Sequence, residues 1–209
     1  MSVRAGLLLV LGETDAYGLQ LHGALEARTD RVGAINVGQV YSTLERLVAA
    51  GLVRTAGSTA DGLPLYGVTA DGRAEADRWL ADVDVMAPTA WPDMVFKVLL
   101  AVSLTGADSS GLLTRYRSAW TGLLGDSGER LGDGPTEPSA ASAAALARRE
   151  LARSAVRWLD ALKAQPGGLD ALRVPLRNER PRRGRRPSSA AGPATGVAVA
   201  AAAAASPLP

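Results

Sequence analysis

Apolar positions in the first fifty residues recur at helical spacing in three separate runs. Val3, Leu7, Leu8 and Leu11 form one stripe over residues 3–12. Asp15 is placed to cap a second helix, in which Tyr17, Leu21, Ala24 and Leu25 share a face. A polar break at Thr29–Ala34 precedes the clearest amphipathic segment, where Val37, Val40, Tyr41, Leu44, Leu47 and Val48 make one stripe. Asn36 is its expected N-cap and Gly51 its expected stop.

The periodicity then changes. Leu52–Ala56 and Leu65–Thr69 are short β-prone runs around a tip, Gly57–Pro64, that contains Asp61 and Gly62, which predicts a hairpin. Thr69 is expected to cap a further helix, with Asp71 in its first turn and Ala74, Trp79 and Leu80 along it. Three helices, a hairpin and a helix give the order of a winged helix-turn-helix.

The second half reads as helical. Residues 91–104 are apolar on most sides despite Asp93 and Lys97, and residues 111–124 follow after a short break. A Gly-, Asp-, Pro- and Ser-rich loop, Gly125–Ser139, leads to a long helix at about 140–164. There Leu151, Ala155, Trp158, Leu159 and Leu162 oppose Arg149, Arg153, Arg157 and Asp160. The expected fold class is mainly α with a small β-hairpin wing. Residues 1–83 form the winged domain, 84–165 a helical domain, and 166–209 a disordered Arg/Pro- then Ala-rich tail.

Composition narrows the chemistry. The chain has no Cys and one His, His22, which excludes thiolate catalysis and cysteine-based metal sites and leaves no expected cofactor. No P-loop, dinucleotide fingerprint or Ser-His-acid set is present, so an enzyme is not expected. The apolar runs Leu7–Leu11 and Val197–Ala205 are too short to span a bilayer, so a cytoplasmic protein is expected. The net charge of +2 hides an asymmetry. Seven arginines face only Glu179 between Arg173 and Pro187, so the remainder carries 16 basic against 20 acidic side chains. Within residues 1–80 the balance is seven basic to nine acidic, so the basic pI says nothing about that segment's partners.

The third helix presents Gly38, Gln39, Ser42, Thr43, Glu45 and Arg46 opposite its apolar stripe. Small and amide side chains there suit a helix that enters a groove about 12 Å wide. Gln39 suits an adenine edge, Ser42 and Thr43 suit bases or phosphates, and Arg46 suits phosphate. The other reading of this face is the solvated side of an ordinary helical domain. Tyr17 and Tyr41 are either core aromatics or phosphate ligands through their hydroxyls. Trp91, Trp120 and Trp158 either pack helix on helix or line a cavity for a planar ligand. The segment Arg180–Arg186 is either a mobile electrostatic arm or a low-complexity extension.

Three stretches resemble regulators of the PadR family, in the same order and spacing. They are Asn36–Val53 (NVGQVYSTLERLVAAGLV), Asp15–Leu21 (DAYGLQL) and Leu65–Ala74 (LYGVTADGRA). Asp93–Leu99 and Ser154–Asp160 resemble the helical C-terminal domain of the family's longer members. The resemblance implies a homodimer joined through C-terminal helices, with a recognition helix from each subunit in a major groove of double-stranded DNA. It further implies a pseudo-palindromic operator and, most commonly, repression, in some members relieved by a small aromatic or amphipathic effector. Under that reading the candidate DNA-binding residues are Tyr17, Asn36, Gly38, Gln39, Tyr41, Ser42, Thr43, Arg46 and Arg54, and the candidates for an effector are Trp91, Trp120 and Trp158. One departure is the wing tip, which carries no basic residue, leaving Arg54 at its base as the nearest cation. An alternative function is a protein-interaction module that keeps the winged fold without reading DNA.

Overall fold

The computed structural model describes residues 2–32, 34–130 and 139–176. The chain divides into two units, Met1–Asn178 and Glu179–Pro209, and the described residues all lie in the first.

Helix α1, Val3–Leu11, begins where Ser2 Oγ accepts from the Ala5 amide at 3.2 Å. Helix α2, Gly18–Thr29, starts later than expected: its N-cap is Tyr17, with no side-chain cap bond, and Asp15 is not used for capping. Ala16 instead forms an antiparallel bridge to Tyr66, which pulls this segment onto the hairpin. Left-handed backbone at Asp30 and Arg31 turns the chain toward α3, Val37–Ala49. Asn36 caps α3 as expected, accepting from the Gly38 amide at 2.7 Å, and Gly51 follows it with φ +71°.

The hairpin comprises β1, Val53–Ser58, and β2, Pro64–Val68, paired antiparallel with Arg54 opposite Gly67 and Thr55 opposite Tyr66. Helix α4, Ala70–Ala81, is capped by Thr69, whose Oγ1 accepts from the Gly72 amide at 3.1 Å. A Cβ at Gly72 would stand 2.1 Å from the Leu52 carbonyl oxygen, so only glycine lets α4 close on the hairpin's base.

Helix α5, Ala90–Ser103, serves two apolar clusters. Phe96 and Leu100 join Leu7, Leu8, Leu21, Leu25, Leu44 and Leu47 in the first. Met94, Val98 and Ala101 join residues such as Leu113, Trp120, Ala155 and Leu159 in the second. This double duty is why residues 91–104 read as apolar on most sides. Helix α6, Ser109–Arg130, runs on through Gly125–Arg130, part of the segment expected to be loop, and lies along α7, Ala140–Lys163. Arg117 Nε donates to Asp160 Oδ1 at 2.7 Å across that pair.

The expected tail starts too early. Beyond Pro166 a 3₁₀ turn, Leu169–Leu172, packs Leu169 and Leu172 on the second cluster. The Val174 amide then donates to the Ser103 carbonyl at 3.1 Å, and Leu176 reaches the first cluster. Three apolar side chains hold this stretch where its Gly and Pro content predicts disorder. The Arg180–Arg186 segment lies outside the described residues.

Candidate nucleic-acid interface

Helix α3 buries a narrower strip than its sequence offers. Val40, Leu44 and Leu47 are fully buried, whereas Val37, Tyr41 and Val48 are between a third and two-fifths exposed. The core takes only the centre of the apolar stripe, and its edges remain at the surface. Gly38, Gln39, Ser42, Glu45 and Arg46 are exposed, as is the capping residue Asn36. Thr43 is corrected: the sequence puts it on the groove side, but it is only 6% exposed and accepts from Arg46 Nη2 at 3.2 Å. One residue of helical rotation, set by Val40 and Leu47 on the same side, turns it inward.

Arg46 lies back along its own helix, with Nε donating to the Ser42 carbonyl at 3.1 Å. Tyr17 is buried and packs in the core, which keeps its ring out of the surface. Tyr41 is the reverse case. Its ring rests on the backbone of Gly18, where a Cβ would come within 2.5 Å of Tyr41 Cε1. Glycine at the start of α2 therefore fixes an exposed aromatic on α3. Periodicity singles out neither Gly18 nor this contact; the Tyr-Gly pair in the Asp15–Leu21 resemblance is the signal that could have found them.

Tyr66 joins the same surface from the hairpin. Burial pushes its phenol above the ordinary value, and Tyr41 and Glu45 push it further. Beside them the hairpin acquires a third edge. Ala16 bridges Tyr66, so Asp15 stands next to Gly67 on one side of β2 while Arg54 stands on the other. Arg54 Nη2 lies 3.4 Å from Asp15 Oδ2 across the glycine.

Other cations of residues 1–80 are also engaged. Arg4 Nε donates to Glu75 Oε1 at 2.6 Å, which raises the guanidinium's pKa and lowers the carboxyl's. Arg31 pairs with Glu26 at 3.4 Å, and Arg73 Nη1 donates to the Gly12 carbonyl at 3.0 Å. Arg28 is buried against Glu13. The surface built by α3 and the hairpin is thus rich in polar and aromatic groups and poor in uncommitted positive charge.

The three tryptophans pack. Trp120 is 2% exposed and its Nε1 donates to the Met94 sulfur at 3.0 Å. Trp91 and Trp158 are half-buried and meet edge to face, with ring centroids 5.8 Å apart. Two clefts of about 660 and 400 Å³ lie elsewhere and share Asp77, Leu80, Gly106 and Ala107, with none of the three tryptophans in their linings. Lys97 is buried beneath the end of α4, where its Nζ donates to the Trp79 and Asp82 carbonyls at 2.7 and 2.6 Å and stands 4.5 Å from the Trp79 ring centroid. Desolvation pulls its pKa down, while its hydrogen bonds cap α4 and fasten that helix to α5.

Among the described residues no helix is long and apolar enough to cross a membrane. Residues 7–78 match the model of the Transcriptional regulator PadR-like family. The match spans α1 to α4 and so includes the whole surface just described. No curated protein matches the chain. Among solved structures it is similar to Bacillus subtilis PadR in complex with operator DNA, at 19% identity and TM-score 0.37, covering 76% of this chain and 94% of that one. It is also similar to Bacillus subtilis PadR in complex with p-coumaric acid, at 18% identity and TM-score 0.37, covering 81% and 98% of the two chains. The Vibrio cholerae virulence activator AphA is similar at 18% identity and TM-score 0.34, with 81% and 96% covered.

Proposed function

We propose that this chain, a PadR-like transcriptional regulator by its residues 7–78, binds a pseudo-palindromic operator in double-stranded DNA as a homodimer and acts as a repressor. The observation that carries the reading is the outer side of α3. It presents Gln39, Ser42 and Arg46 together, starts at a side-chain-capped N-terminus, and has its opposite strip locked by Val40, Leu44 and Leu47. A helix held on one side and polar on the other can lie in a major groove, where Gln39 suits an adenine edge and Arg46 a phosphate. Tyr41 stands at the edge of that strip, Asn36 and Gly38 keep its leading end narrow, and Arg54 is the cation that the hairpin adds.

The finer parts rest on separate supports. Dimerisation through the C-terminal helices is supported by α7, whose first half is exposed and includes Leu146 at 56% and Leu151 at 40%. The division into a winged domain over 1–83 and a helical domain from 84 goes with that assignment, with α5 giving side chains to both clusters and the packed stretch through Leu176 counted with the folded part rather than with a tail. Relief by a small aromatic or amphipathic effector belongs to the same proposal through Trp91 and Trp158, whose partly exposed rings now pack on each other, while Trp120 is closed off by Met94.

The test is a gel shift of the purified protein with DNA from its own upstream region, with a shuffled duplex as control. A sequence-specific complex is expected. Replacing Gln39, Ser42 and Arg46 together by Ala should weaken it by about 1–3 kcal/mol for each side chain that reads a base edge, with the melting curve unchanged. No specific complex from a folded dimer at low salt would overturn the proposal.

A further inference from the structure

The Asp15–Arg54 pair has a construction unlike an incidental surface contact. Three segments lie side by side at the base of the hairpin: Asp15-Ala16, β2 and β1. Neighbouring strands are about 4.8 Å apart, so residues on the two outer strands stand about 10 Å from each other. Asp15 and Arg54 close that gap because the residue between them is Gly67. A Cβ on Gly67 would come within 2.4 Å of Asp15 Oδ1 and 2.9 Å of Arg54 Cζ. Both charged ends occupy the place of the missing side chain.

Glycine inside a strand weakens it, and an exposed ion pair returns little stability. The arrangement therefore does little for folding. Its effect is on the cation. Arg54 is the basic residue of the hairpin, and its side chain is 55% exposed while its guanidinium already holds a carboxylate. Asp15 in turn is left uncommitted by α2, which starts at Gly18 without its help.

We propose that Asp15 is an intramolecular counterion for Arg54, which a DNA phosphate must displace, so that Asp15 tunes the affinity and the salt dependence of operator binding. The inference rests on the DNA-binding reading above. A phosphate that takes Arg54 from Asp15 exchanges one anion for another and also leaves Asp15 close to the DNA backbone. A wing without Asp15 binds phosphate with the full gain of a free arginine. Low non-specific affinity follows, and discrimination falls more heavily on the α3 contacts.

Four proteins separate the possibilities: the unaltered chain, Asp15→Asn, Arg54→Ala and the double variant. Each is titrated with the upstream duplex that the unaltered chain shifts, from 0.1 to 0.5 M salt. Asp15→Asn should tighten binding roughly three- to tenfold at 0.1 M, and steepen the slope of log K against log salt by about 0.9, as one further phosphate contact requires. In the Arg54→Ala background the same substitution should give a much smaller change in both quantities, since it then relieves only the repulsion between Asp15 and the DNA backbone. An unchanged Asp15→Asn variant, or an equal gain with and without Arg54, overturns the counterion role while leaving the DNA-binding reading in place. Absence of a specific complex for all four overturns that reading and this inference together.

Discussion

Glu13 and Asp15 stand two residues apart on the same loop, and each pairs with an arginine. The two pairs differ in burial. Arg28 has a fully buried side chain, with Nη2 on Glu13 Oε2 and with Nε and Nη1 unpartnered by the described residues. Glu13 also accepts from the Thr105 amide at 3.0 Å, which ties α2 to the turn after α5. Arg54 and Asp15 are both about half exposed and meet over Gly67. The same chemistry is a structural tie in one place and an exchangeable contact in the other. In the interior, loss of a partner strands a charge; at the surface, water replaces it.

The sharpest break of this comparison is Glu13→Ala. It leaves Arg28 buried without its carboxylate, and the expected loss is about 3–5 kcal/mol in a urea or thermal melt. Glu13→Leu combined with Arg28→Met should lose much less than Glu13→Ala alone, because no charge is left behind. A double variant as unstable as the single one would show that the loss comes from the Thr105 tie or from packing.

Next in size is Gly18→Ala. Its Cβ would overlap the Tyr41 ring at 2.5 Å, and moving that ring should cost about 1–3 kcal/mol. Tyr41→Ala in the same background should recover most of the loss, which a calorimetric melt resolves. The site is partly legible in the sequence for a related reason. Periodicity locates α3, its Asn36 cap and its outer residues, because capping and amphipathicity are local properties. It misassigns Thr43, since which part of a wide apolar stripe meets the core depends on α1 and α2. It also gives Asp15 a capping role that the bridge between Ala16 and Tyr66 takes away. Glycines used for close approach, at 18, 67 and 72, are invisible to a hydrophobic pattern because their function is set by a distant partner. The helical half reads with correct elements but a premature tail, as Leu169, Leu172 and Leu176 are too few to register as a periodic run.

The smallest expected effect on stability is the most informative about the exposed pair. Gly67→Ala introduces a methyl group where Asp15 Oδ1 and Arg54 Cζ now lie, and both are the ends of side chains free to swing outward. Losing an exposed pair costs about 0–1 kcal/mol, and replacing a strand glycine returns about 0.5–1 kcal/mol of backbone entropy. The two nearly cancel, so the melting temperature should hardly move. Arg54, pushed away from Asp15, should then behave toward DNA as it does in Asp15→Asn, with a steeper salt dependence at unchanged stability. A large drop in stability would instead mean that the hairpin, like the Arg28 region, depends on its ion pair for folding. That outcome would erase the distinction between the two pairs.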